Sequence, residues 1–157
     1  MISPRLPGRW NFTPQGDCRR STYRPIRRVV AESVPPVLVV DDDPGIREAL
    51  GYVLALSGYE AVTAEDGLAG LAYLRGGGRA SVIILDMFMP NMDGVAFQRA
   101  LKADPRWARI PVVIFSAFPP ADPGDAIGVV AKGSADPDVL LSLVARACAT
   151  SVQARAV

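Results

Sequence analysis

The sequence has no histidine and only two cysteines, Cys18 and Cys148, which stand far apart with no CxxC spacing. Neither a disulfide framework nor a His/Cys metal site is supported. Cys148 falls at helical spacing in an apolar segment and reads as a small buried hydrophobe in a reducing compartment. Long apolar runs are missing too. Segments such as 81–85 and 110–115 are far short of the roughly 20 residues that cross a bilayer. The N-terminal stretch lacks the roughly 7 to 15 apolar residues of a secretory signal. A soluble, cytoplasmic protein with no membrane segment is expected. Glycine is plentiful, but no Walker or Rossmann spacing occurs, so Gly76-Gly77-Gly78 reads as the end of a helix and not as a phosphate loop.

What is present is divided unevenly. Residues 1–34 carry seven arginines against Asp17 and Glu32, a net +5, whereas the remainder has ten basic and fourteen acidic residues, a net −4. The arm also holds Pro4, Pro7, Pro14 and Pro25 and shows no apolar period, so residues 1–34 are expected to be a disordered basic arm. Such an arm can touch nucleic acid or anionic lipid; a solvated tail, or sequence ahead of the natural start, is the plainer account. Residues 35–150 are the expected folded domain and 151–157 a C-terminal tail. A chain of 157 residues, half of them apolar, can bury one good core.

From Pro35 onward, short apolar runs alternate with helical periods, the pattern of a parallel sheet with crossover helices. Val37 to Val40 is too short and too uniformly apolar for anything but a buried strand. Ile46, Leu50, Val53 and Leu54 share one helical face, with Gly58 as the stop. Strand two is expected at residues 59–63, helix two at 66–75, strand three at 81–85 and strand four at 112–115. Phe97, Ala100 and Leu101 give helix three its buried face. Strand five is expected at 127–131, followed by a closing helix that buries Val139, Leu140, Leu143, Val144 and Ala147. Five βα units of this size fit a flavodoxin-like, doubly wound α/β fold with strand order 2-1-3-4-5.

In open α/β sheets the active crevice lies outside the carboxyl ends of the strands. The residues expected there are Asp41, Asp42 and Asp43, then Asp86, Ser116 and Lys132. Two carboxylates about 4 Å apart repel by roughly 4 kcal/mol at an effective dielectric near 20, so the cluster calls for a cation or a shared proton. With oxygen ligands only, Mg²⁺ is the natural ion. The plainer reading of Asp41 to Asp43 is a turn that caps the helix beginning near Pro44. An EF-hand is rejected, because the twelfth position counted from Asp41 is Tyr52 and not Glu.

The run Asp86-Met87-Phe88-Met89-Pro90-Asn91-Met92-Asp93-Gly94, together with Val40-Asp41-Asp42-Asp43-Pro44, Ser116-Ala117 and Lys132, resembles the response-regulator receiver family of two-component signalling. The resemblance implies that Asp86 is the phosphoacceptor and that Mg²⁺ is held by Asp41, Asp42, Asp86 and the backbone carbonyl of Phe88. It also implies that Ser116 and Lys132 bind phosphoryl oxygens. Neutralising the phosphate charges is what a carboxylate nucleophile requires. Pro90 and Asp93 are expected to have structural work, Asp93 as the cap of helix three.

The sequence also departs from that family. Only eleven residues, rich in proline, separate Phe115 from Ile127, whereas a parallel crossover normally needs about a dozen or more including its helix. The fourth helix is therefore expected to be reduced or absent. Val129 stands where the family usually has a switch aromatic, and Gly133 where a proline follows the lysine. Phe88 and Phe118 stand where family side chains border the path of hydrolytic water, and bulky rings there imply a long-lived phosphoaspartate.

The reading is a stand-alone receiver, phosphorylated by a histidine kinase or histidine phosphotransfer protein, with no DNA-binding domain and with output by binding another protein. It is not read as an enzyme beyond slow self-dephosphorylation. One alternative is a pseudo-receiver that binds partners without phosphorylation. Another is a haloacid-dehalogenase-like phosphatase using Asp41 in a D-x-D pair with Asp43.

Overall fold

Val37–Val40 form β1, and all four side chains are fully buried because the strand lies inside the sheet, flanked by a strand on each side, with helices on both faces. The computed structural model describes residues 34–134 and 136–153, all within the unit Ser33–Val157. Apart from Val34, the expected basic arm lies outside the described residues, as do residues 154–157 of the tail. The remaining strands are β2 (Ala61–Ala64), β3 (Val82–Leu85), β4 (Val112–Ser116) and β5 (Gly128–Ala131). All pair in parallel in the order β2-β1-β3-β4-β5, the order expected from the sequence.

Strand alternation divides the core in two. Leu38, Val40, Ile83, Leu85 and Ile114 pack with α2 (Gly67–Arg75) and α3 (Gly94–Ala103) through Leu71, Phe97 and Leu101. Val37, Val39, Ile84, Val113, Phe115 and Val130 pack with α1 (Pro44–Leu56) and α4 (Pro137–Gln153) through Leu50, Leu54, Leu140 and Val144. Cys148 is buried in this second core, its thiol 3.4 Å from Ser81 Oγ. Val139 is the exception among the residues expected inward on the closing helix: it is 49% exposed. That helix runs to Gln153, past the boundary expected at residue 150. Among the described residues no helix is long and apolar enough to cross a membrane.

β2 starts two residues later than expected, for a local reason. The Tyr59 N–H is spent on Leu54 O and the Gly58 N–H on Ala55 O, closing α1 in a Schellman motif with Gly58 at φ 83°. The chain is still turning at Tyr59 and reaches the sheet at Ala61. β3 and β5 likewise begin one residue later than expected, and β4 extends one residue further, to Ser116.

The β4–β5 connection, residues 117–127, contains no helix. The crossover expected to be shortened is therefore an extended loop. On the α3 side of the sheet this leaves Ile127 and Val129 partly exposed, at 41% and 38%, whereas Val130 on the opposite face is buried.

Candidate phosphoryl-acceptor site

Parallel strands all end at the same edge, so the residues that follow β1, β3 and β5 meet there with the last residue of β4. Asp86 follows β3 and is almost wholly buried. Its Oδ1 accepts hydrogen bonds from Ser116 Oγ at 2.9 Å and the Met87 N–H at 2.7 Å, with the Phe88 N–H at 3.4 Å. Its Oδ2 accepts from Lys132 Nζ at 2.8 Å. Lys132 opens a short 3₁₀ turn directly after β5, which lays its stem along the crevice. The same ammonium lies 2.7 Å from Asp41 Oδ2. Asp41 is buried, whereas Asp42 is exposed beside it.

One ammonium thus serves two buried carboxylates. Burial pushes the Asp41 carboxyl above its ordinary range; the Lys132 contact and the Asp43 N–H work against this, and the Asp86 charge adds to it. For Lys132, burial disfavours the charged form, but Asp41 and Asp86 outweigh it and hold the ammonium above its ordinary range. Carboxylate oxygens of Asp41, Asp42 and Asp86 lie within 4.8 Å of one another. Asp41 Oδ2 is buried and, despite its close ion pair, has no in-line hydrogen bond. An all-oxygen set of three carboxylates against one ammonium fits a hard divalent cation such as Mg²⁺.

The three successive aspartates separate by function. Asp43 is the N-cap of α1, and its carboxylate accepts the Gly45 and Ile46 N–H groups at 2.7 and 3.2 Å. The capping account therefore holds for Asp43, while Asp41 and Asp42 face the pocket's carboxylate cluster. A D-x-D pair of nucleophile and acid is not what the geometry shows. Asp93 caps α3 through the Ala96 N–H, as expected.

Three supports were not singled out from the sequence. Arg47 donates to the carbonyls of Asp41 and Asp42 at 2.7 and 3.0 Å, pinning the acidic loop. Asp66 accepts from Asn91 Nδ2 at 2.7 Å and from the Ala69 N–H at 2.8 Å, tying the start of α2 to the loop after Asp86. Asn91 sits at φ 63°, where asparagine is tolerated, and this was a readable signal. Gly94 passes so close to Asp86 that a Cβ would lie 2.7 Å from its carbonyl oxygen, so only glycine fits the end of the motif. Phe88 and Phe118 are exposed and meet edge to face, ring centroids 6.1 Å apart.

Over residues 37–136 the sequence matches the family described as the response regulator receiver domain. It is 40% identical over 116 residues to the transcriptional regulatory protein PrrA of Mycobacterium tuberculosis, covering 71% of this chain and 48% of that protein. It is 38% identical over 100 residues to the response regulator PleD of Caulobacter vibrioides, covering 64% of this chain and 21% of that protein. The chain thus spans about half the length of these curated relatives, or less. The response regulator TrrA of Thermotoga maritima, solved in complex with Mg²⁺ and BeF, superposes with a TM-score of 0.64 at 30% identity, covering 72% of this chain and 98% of that one. Chemotaxis protein CheY4 of Vibrio cholerae superposes with a TM-score of 0.65 at 30% identity, covering 73% and 99%.

Proposed function

Because the chain belongs to the family of response regulator receiver domains, we propose that it accepts a phosphoryl group on Asp86 from a histidine kinase or histidine phosphotransfer protein and signals by binding a downstream protein. The observation that carries this is the Asp86 carboxylate itself, buried yet held by Ser116, Lys132 and backbone N–H groups. Oδ1 is fixed by its donors, which leaves Oδ2, held by Lys132 alone, as the oxygen free to form the bond to phosphorus. As that bond forms, the bond from phosphorus to the donor's imidazole nitrogen breaks, and its electron pair leaves with the nitrogen. Lys132 and the Ser116 hydroxyl, which donate to Asp86 before transfer, would then turn to the phosphoryl oxygens.

Asp41, Asp42, Asp86 and the Phe88 carbonyl are the groups that would hold Mg²⁺. When bound, that ion supplies charge neutralisation for the incoming phosphate. The signalling unit is residues 35–150, cytoplasmic, and not an enzyme beyond slow loss of its own phosphoryl group. Phe88 and Phe118 make that loss slow by denying water an approach. After loading, Phe88→Asn should speed the decay on the order of tenfold by this exclusion argument; decay of the parent within seconds would remove it.

Incubation with acetyl phosphate and Mg²⁺ tests the assignment. Intact-protein mass spectrometry should show one phosphoryl adduct on the parent and none on Asp86→Ala. An adduct that survives Asp86→Ala but is lost in Asp41→Ala would instead indicate a phosphatase nucleophile. No adduct at all would favour a binding module that works unphosphorylated, the reading to which the helix-free crossover points.

A further inference from the structure

At the amino edge of the sheet, opposite Asp86, the turn after α2 and the loop after α3 enclose an open cleft of about 470 Å³. Four arginines line it: Arg75 and Arg79 from the first segment, Arg106 and Arg109 from the second. Arg109 also lines an adjoining cleft with Arg146. These five are a majority of the nine lysines and arginines in residues 34–153, where fourteen acidic residues set the overall sign. Arginines are therefore concentrated at this edge, while the Asp41, Asp42 and Asp86 cluster, with Lys132 and Arg47, lies at the other.

The nearby acids offset the cleft's charge only in part: Asp104 feels the charge of Arg75 as well as that of Arg106. Asp104 is committed to Arg106 at 2.7 Å, and this guanidinium also lies 4.6 Å from the Trp107 ring centre. Asp125 is paired with Lys102. Arg75, Arg79 and Arg109 form no ion pair among the described residues. Arg75 and Arg79 flank the Gly76-Gly77-Gly78 turn, which is fixed by the Tyr73 hydroxyl bonding to the Arg79 carbonyl at 2.9 Å and by Gly77 at φ 92°. Buried Leu74 and Trp107 floor the cleft. Among the described residues, guanidiniums gathered from two loops over an apolar floor exceed the carboxylate beside them and repel one another, and a multiply charged anion removes that cost.

We infer that this cleft is a binding site for a compact polyphosphate anion, such as a triphosphate group. Guanidinium forks match phosphate oxygens two at a time. A ligand-sized cavity holds a small molecule, and the acidic pole repels the same ligand and steers it here. The site is independent of phosphorylation at Asp86.

Calorimetric titration of the full chain with inorganic triphosphate, without Mg²⁺ and at physiological salt, tests it. A Kd in the range of about 1–100 μM is expected, weakened on the order of tenfold in Arg75→Ala/Arg79→Ala and again in Arg109→Ala. These arginines are exposed, so the variants should fold; Asp86→Ala and Arg99→Ala should bind as the parent does. A millimolar parent Kd would overturn the proposal. So would unchanged binding in the combined arginine variant, which would place the anion on the arm. A single-stranded oligonucleotide that binds far more tightly than triphosphate, through the same arginines, would overturn the small-anion assignment in favour of nucleic acid.

Discussion

The two sides of the sheet are built in opposite ways. From β1 to β4 every connection carries a helix that covers one face, and Phe97 on α3 is fully buried against its neighbours. From β4 to β5 the chain crosses without a helix, and Phe118 in that connection is 73% exposed. Yet Ser116 and Lys132, the two pocket residues supplied from the bare side, contact Asp86 at 2.9 and 2.8 Å. The difference separates what places a site from what covers it. Strand register, with Ser116 opposite Ala131, sets where Lys132 emerges, and register depends on ladder hydrogen bonds and on Val130 packing beneath. A crossover helix would cover the sheet face but is not needed to position these two residues.

The sharpest test of this contrast is a pair of truncations. Phe97→Ala should cost about 3–5 kcal/mol in denaturant unfolding, whereas Phe118→Ala should stay within about 0.5 kcal/mol of the parent. Comparable losses would mean that the helix-free loop carries core packing after all.

Ion binding comes next. At about 100 times its Kd, Mg²⁺ should stabilise the parent by roughly 2.7 kcal/mol, with no such gain in Asp42→Asn. A gain that persists in that variant would move the ion away from the carboxylate cluster. A smaller effect is expected at Asp66, whose carboxyl the Ala69 N–H and Asn91 hold below the usual carboxylate range. The sign follows from linkage: ionised Asp66 stabilises the fold above the unfolded value of 3.8, and this is lost as pH falls through the lower folded value. Asp66→Asn keeps a capping side chain, so it should lose under about 1 kcal/mol at pH 7. Its deficit should shrink as unfolding is repeated below pH 3.8. Smallest of all, Val129→Thr on the uncovered face should shift stability by no more than about 0.5 kcal/mol; a larger loss would show that this face is packed in solution.

Much of this is legible in the amino-acid sequence. Val37 to Val40 and the 81–85 run, with Val82 to Leu85, announce buried parallel strands because four apolar residues in succession fit no half-exposed element. The Asp86 motif could be placed because a strand end has only one direction to go. The eleven residues after Phe115 were too few for a crossover helix, and none forms. Less legible was the division among Asp41, Asp42 and Asp43. Three identical side chains in a row differ only in direction, and direction is set by the helix that Asp43 caps and by Arg47 gripping the two carbonyls before it.

The sequence by itself determined the βα alternation and the set of oxygen and ammonium groups at strand ends; the order 2-1-3-4-5 fitted that alternation but was fixed only by strand pairing. Local patterning suffices for the first two, since periodicity and chain direction are properties of neighbouring residues. Tertiary structure alone decided that one lysine is shared by two buried carboxylates, that Phe88 meets Phe118, and that Arg75 and Arg79 share a cleft with Arg106 and Arg109. Each of these joins residues about thirty or more apart in the chain. Their proximity exists only once β3 has paired with β4 and β4 with β5. No local pattern encodes such a distance; the sheet's packing does.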